Sequence, residues 1–120
     1  MDIASTAPGT PVGMNRCNYS YTSQSWYFLS NNAGLFNIRN DASGLCMDIA
    51  SGTPVGMHQC HGLTEPGYLS QKWEYIGYDN LRNKASGLCM DLGSNDLGAK
   101  VIMSWCHDED FAYRSQQWVG

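Results

Sequence analysis

The 120-residue chain sets seven Lys plus Arg against eleven Asp plus Glu, a formal charge of −4, and shows no basic cluster. A surface that tracks nucleic-acid phosphates is therefore excluded. At 13.3 kDa there is material for one core and not two, and nowhere does an apolar run reach the ~18 residues of a bilayer span.

Met1-Asp2-Ile3-Ala4 opens the chain without the basic, apolar character of a secretory leader, so the expectation is a soluble protein with no membrane insertion. Pro11-Val12-Gly13-Met14-Asn15-Arg16-Cys17-Asn18 follows, and then Tyr21-Thr22-Ser23-Gln24-Ser25-Trp26. After Phe36-Asn37-Ile38-Arg39-Asn40-Asp41-Ala42-Ser43-Gly44-Leu45 the same series returns. It reads Cys46-Met47-Asp48-Ile49-Ala50, Pro54-Val55-Gly56-Met57-His58-Gln59-Cys60-His61, then Tyr68-Leu69-Ser70-Gln71-Lys72-Trp73. A third pass begins with Asn80-Leu81-Arg82-Asn83-Lys84-Ala85-Ser86-Gly87-Leu88. It continues with Cys89-Met90-Asp91-Leu92, Lys100-Val101-Ile102-Met103-Ser104-Trp105-Cys106-His107 and Tyr113-Arg114-Ser115-Gln116-Gln117-Trp118.

Successive aspartates lie 46 and 43 residues apart and successive tryptophans 47 and 45, so one unit of about 45 residues is used three times. The segments are short, rich in Val, Ile, Leu, Met and aromatics, and bounded by Gly, Asn, Ser or Pro, which is the signature of strands. No sustained 3.6-residue apolar stripe marks a helix, and the expected class is all-β. Such units cannot bury a face alone and should close on one another with pseudo-threefold symmetry. One domain over 1–120 is expected, with repeats near 1–30, 31–77 and 78–120. In each Gln-x-Trp the two side chains are expected on the same side of a strand, Trp in the core and the Gln amide bonding a loop or carboxylate.

Five cysteines, at 17, 46, 60, 89 and 106, point to an oxidising compartment and a secreted or extracellular site of action. No Cys-x-x-Cys is present, so a zinc cage is disfavoured, and neither metal nor cofactor is expected. The odd count leaves at least one thiol without an intrachain partner.

Three Gln-x-Trp motifs (Gln24/Trp26, Gln71/Trp73, Gln116/Trp118), Gly-Leu-Cys-Met-Asp twice and Pro-Val-Gly-Met-x-x-Cys twice resemble the ricin B-type, or R-type, lectin family across nearly the whole chain. The resemblance implies a β-trefoil with a shallow sugar site on each third, and disulfides Cys46–Cys60 and Cys89–Cys106. Aligned this way, residues 1–120 lack the first strand of repeat one, and Cys17 is the odd thiol. Eleven of twelve strands are expected, with an open edge. The expected consequences are dimerisation or marginal stability, with the barrel completed by another chain as in a homodimer, by a terminal extension, or by the rest of a longer parent protein.

A neutral sugar needs a carboxylate for its hydroxyls, a ring beneath its C–H face and a further polar contact. The resemblance assigns these roles to Asp48, His58, His61 and Gln71 in copy two, and to Asp91, Ser104, His107 and Gln116 in copy three. Copy one offers Asp2, Asn15, Asn18 and Gln24. The family's aromatic platform position holds Asn15, His58 and Ser104 here, and Ser23, Ser70 and Ser115 stand where an Asn usually precedes the Gln. Tyr21, Tyr68 and Tyr113, each three residues before the Gln, are candidate replacement rings. Copy two is the expected best site, and neutral histidines in the contact set would make affinity fall on acidification.

Galactose or N-acetylgalactosamine-type glycans are the ligands that the resemblance implies, bound multivalently. Two other readings stand beside it. One is a carbohydrate-binding module of a larger enzyme or toxin, and the other a trefoil that has lost sugar binding and serves protein interaction. Asp108-Glu109-Asp110 is the only acidic run suited to a glycosidase pair or to Ca²⁺, but contiguous exposed acids are usually just solvated, and no nucleophile elbow or metal motif accompanies them. Catalysis is not expected.

Overall fold

The computed structural model describes residues 1–18, 20–30, 34–49, 55–61, 69–77, 79–92, 94, 96, 98–107 and 114–118. Ten short strands and three single 3₁₀ turns lie among them. β1 (Asp2–Ile3) pairs with β2 (Val12–Gly13). β3 (Trp26–Ser30) forms a hairpin with β4 (Phe36–Asn40), which passes on to β5 (Cys46–Asp48) and thence to β6 (Gly56–His58). The same path recurs as β7 (Trp73–Ile76), β8 (Asn80–Asn83), β9 (Cys89–Leu92) and β10 (Val101–Ser104). Phe36 pairs with Trp73 to join the two halves. Every pairing is antiparallel, as short connections demand.

Equivalent registers recur with each repeat. Asp2 faces Gly13, Asp48 faces Gly56 and Asp91 faces Ile102 across their ladders. At the pseudo-threefold axis the Val12 N–H donates to the Val55 carbonyl (2.8 Å) and the Val55 N–H to the Val101 carbonyl (2.9 Å). All three valines are fully buried. Bridges Pro11–Gly56 and Gly13–Lys100 close the rest of this ring. Met47, Met57, Met90, Ile38, Leu81 and Trp73 pack beneath it as one cluster, with Trp26 and Trp118 partly buried against it. Three repeats sharing one core in this way make a β-trefoil.

Each repeat fastens its tryptophan by the same bond. The indole N–H of Trp26 donates to the Met1 carbonyl (3.1 Å), that of Trp73 to Met47 (3.3 Å) and that of Trp118 to Met90 (3.2 Å). A buried indole needs such an acceptor, and the carbonyl just before each Asp supplies it. The turns between β4 and β5 and between β8 and β9 are also copies. Asn40 and Asn83 donate to the carbonyls of Ser23 and Ser70, both at 2.9 Å. Their Oδ1 atoms accept from Ser43 N–H and Ser86 N–H. Gly44 and Gly87 complete these turns at φ 70° and 72°, a region that a side chain would strain.

Cys46–Cys60 and Cys89–Cys106 are bonded, and Cys17 is free and exposed. The strand expectation for Gln-x-Trp needs correction. Gln24, Gln71 and Gln116 each end a 3₁₀ turn (Thr22–Gln24, Leu69–Gln71, Arg114–Gln116), and in copies one and two the strand begins at the Trp. Both side chains still face inward, because the tight turn swings the Gln under the loop. Residues 119–120, which follow Trp118, lie outside the described residues.

Candidate functional site

The site is built around the glutamine that closes each 3₁₀ turn. Gln71 is 1% exposed and Gln116 is fully buried. The Gln71 amide donates to Asp48 Oδ2 (2.9 Å) and to the Gln59 carbonyl (2.8 Å), while its Oε1 accepts from the His61 N–H (2.9 Å). Gln116 repeats this with Asp91 Oδ2 (3.2 Å), the Trp105 carbonyl (2.7 Å) and the His107 N–H (2.8 Å). Gln24 does so with Asp2 Oδ2 (3.1 Å), the Arg16 carbonyl (2.7 Å) and the Asn18 N–H (2.8 Å).

One neutral amide thus ties three elements together: the strand carrying the Asp, the segment around the second Cys, and its own turn. Amide geometry suits this, because a carbonyl oxygen and an NH₂ group accept and donate at the same point without a charge to desolvate. In copies two and three a fourth bond is added, from Asn37 (3.4 Å) and Asn80 (2.9 Å) to the glutamine Oε1. Asn37 and Asn80 sit on β4 and β8. In copy one Gln24 and Asp2 are half-buried.

Asp48 and Asp91 are buried, 5% and 6% exposed. Asp2 is more open and accepts from its neighbour's Ile3 N–H (2.7 Å) and from Asn15 Nδ2 (3.2 Å). Its burial works to raise the carboxyl's pKa, but hydrogen bonds from Ser23, Gln24, Asn15 and the Ile3 N–H together hold it below the usual carboxylate range. A cleft of about 420 Å³ opens beside Asp2 and Asn15, walled by Thr10, Met14, Gly98 and Lys100.

The other sequence candidates fall around these anchors. Asn18 is exposed and its Oδ1 accepts from the N–H and hydroxyl of Ser20, an Asx turn. Tyr21 is 51% exposed, ahead of its 3₁₀ turn. His58 ends β6 half-buried, while His61 and His107 lie past the strands, the former exposed and the latter half-buried. Ser104 ends β10 half-buried. Tyr68, Tyr113 and the acidic run 108–110 lie outside the described residues. Among the described residues no three His, Cys, Asp or Glu side chains gather as a metal cage, and no helix is long and apolar enough to cross a membrane.

One residue was missed by the sequence reading. Trp105 is 79% exposed, far more than any other large hydrophobic residue among those described. Its own carbonyl is an acceptor of the Gln116 amide, which places its backbone at the Asp91 lock. Trp105 stands one residue before the second Cys of its repeat, next to Ser104 at the platform position.

A family profile described as the ricin-type β-trefoil lectin domain matches residues 34–119. Among solved structures, the designed threefold-symmetric protein ThreeFoil is similar at 23% identity and TM-score 0.81, covering 98% of this chain and 86% of that one. The C-half of an earthworm R-type lectin in complex with GalNAc is similar at 17% identity and TM-score 0.71, covering 98% and 85%. An endo-β-galactosidase from Clostridium perfringens that releases GlcNAcα1-4Gal is similar at 15% identity and TM-score 0.66, with 98% of this chain matching 28% of that one. No curated protein matches the chain in sequence.

Proposed function

Because the chain belongs to the ricin-type β-trefoil lectin domain family, in which the fold serves carbohydrate binding without catalysis, we propose that it binds galactose- or N-acetylgalactosamine-type glycans at the rims of its repeats. The observation that carries this reading is the threefold recurrence of a glutamine amide holding an aspartate at the same point of each lobe. An oriented carboxylate accepts two vicinal hydroxyls, which is the contact a neutral sugar can make most strongly. The bound GalNAc named for the earthworm lectin supports the choice of sugar.

Copies two and three are the stronger sites in this proposal, since their locks carry the extra bond from Asn37 or Asn80. In copy three, Trp105 supplies the apolar ring for the sugar's C–H face, and His107 the further polar contact. In copy two, His58 and His61 flank Asp48 with Gln71 beneath, and Tyr68 completes it. Asp2, Asn15, Asn18 and Tyr21 form the weaker copy-one site, and Tyr113 joins copy three. Each shallow site binds at about millimolar strength, near −4 kcal/mol, and clustered glycans gain from several sites at once. The two disulfides favour action outside the reducing cytosol.

A second reading rests on coverage. The endo-β-galactosidase devotes only part of its chain to this fold, so the chain acts equally well as the glycan-targeting module of a larger protein, concentrating a partner domain on a glycosylated surface.

The test is a glycan array and titration with lactose and N-acetylgalactosamine, using wild type, Asp48→Asn, Asp91→Asn and Trp105→Ala. The Asn variants keep a side-chain oxygen for the glutamine, so folding persists while hydroxyl binding weakens. Loss of half or more of the avidity in either Asn variant supports the proposal. Unchanged binding in all three, or none by wild type at millimolar sugar, refutes it.

A further inference from the structure

The cleft of about 420 Å³ beside Asp2 takes its walls from two repeats. Asp2, Pro11, Met14 and Asn15 belong to repeat one, Gly98 and Lys100 to repeat three. Backbone bonds fix the seam between them. The Gly98 N–H donates to the Met14 carbonyl (2.7 Å), the Met14 N–H donates to the Ala99 carbonyl (2.8 Å), and Lys100 bridges Gly13. The main chain of Lys100 is thereby held against copy one, while the residue as a whole stays exposed.

The seam between repeats one and two is a copy of this one. The Gly9 N–H donates to the Met57 carbonyl (2.6 Å), the Met57 N–H to the Thr10 carbonyl (3.0 Å), and Pro11 bridges Gly56. Pro11 therefore stands beside copy two where Lys100 stands beside copy one, and Pro54 holds the third place in the sequence. An ammonium is thus peculiar to one of the three sites. Among the described residues Lys100 makes no ion pair. The oxygens of Asp2 accept from the Ile3 N–H, Asn15 and Gln24, and Asp96 accepts from the Ser94 hydroxyl. With Asn15 at the platform position, the cleft offers Met14 and Pro11 as its apolar wall and a positive charge beside them.

We propose that this cleft binds a saccharide carrying an anionic substituent, a carboxylate or a sulfate ester, and that Lys100 is the residue that selects it. Asp2 and Asn15 take the sugar's hydroxyls, Met14 and Pro11 lie against its C–H face, and the anionic group turns to the Lys100 ammonium, since hydrogen bonds between ionised partners are the stronger class. The Asp2 carboxylate repels the substituent, so the ring is oriented one way round, acid towards repeat three and hydroxyls towards repeat one. The inference rests on the glycan-binding reading above and gives copy one a ligand class of its own.

The test is an amide-resolved NMR titration of the 120-residue chain with methyl galactoside, its uronic acid counterpart and its sulfate ester. Wild type is compared with Lys100→Met, which keeps the apolar stem and removes the charge. The acidic sugars are expected to move the amides of Gly13, Asn15 and Lys100 with a Kd about three- to fivefold below that of the neutral one, the gain of one solvent-exposed charge pair. That preference disappears in Lys100→Met, and in wild type at about 1 M salt, where the screening length is about 3 Å. A preference shown by only one of the two acids supports the proposal and names the group. Equal Kd values for acidic and neutral sugars at these amides in wild type, or a preference that survives Lys100→Met, overturn it. Amides around Asp48 and Asp91 report the parent reading separately. Neutral-sugar shifts there, with no acidic preference at copy one, sink this inference alone, whereas no shift anywhere with any sugar sinks both.

Discussion

The lock glutamines allow a quantitative test, because the same residue sits in three environments that differ in one known way. Replacing Gln71 by Leu keeps the volume and removes four hydrogen bonds: two donated to Asp48 and Gln59, two accepted from His61 and Asn37. The site is 1% exposed, so water cannot replace them freely. Each stranded group costs about 1–3 kcal/mol, and the carboxylate is the worst of them. Allowing for relaxation at the long Asn37 contact, a loss of about 3–5 kcal/mol is expected, a large share of the ~5–15 kcal/mol of a typical domain. Gln24→Leu removes three bonds from a half-buried site open to solvent, and about 1–2 kcal/mol is expected. Urea unfolding followed by tryptophan fluorescence, with m-values compared, measures both. A Gln71→Leu loss under about 1 kcal/mol, or one no larger than that of Gln24→Leu, would falsify the view that these amides hold the repeats together.

Trp73→Ala, at a fully buried indole bonded to Met47, should cost about 3–5 kcal/mol, and Trp26→Ala less because that ring is only partly buried; thermal melts of both decide it. Cys46→Ser with Cys60→Ser opens a loop of sequence separation 14 and should cost about 3 kcal/mol by denaturant titration. Asp2 has a folded pKa below its unfolded one, so its contribution is complete above the unfolded value and disappears as pH falls through the folded value. An acid titration of stability should therefore be shallower below about pH 4 in Asp2→Ala than in wild type, and identical curves refute this. Gly44→Ala, forced to a φ of 70°, should lose about 1 kcal/mol in the same assay.

The fold was legible because the repeat is written in full: Cys, Asp, Gln and Trp recur at fixed intervals, and both disulfides formed as the resemblance implied. Local geometry was less legible. A period-two argument placed Gln and Trp on one strand, yet the backbone takes a 3₁₀ turn at each Gln, since a turn there lets the amide reach a strand and a loop at once. That the glutamine binds the aspartate of its own repeat needed tertiary proximity, 22 to 25 residues apart in sequence. Trp105 was not legible because its equivalents in copies one and two are Arg16 and Gln59, and exposure is not written in a sequence. An Asn on β4 and β8 reads as a turn former; its bond to the lock appears only when the barrel is closed.

The valine triad at the axis ties the destinies of the repeats. Since Val12 bonds to Val55 and Val55 to Val101, no third of the molecule owns its own hydrophobic interior, and a fragment holding one or two repeats has lost a neighbour on which its backbone leans. The trefoil should therefore come apart in a single step, so that its three glutamine–aspartate locks form and dissolve together rather than lobe by lobe.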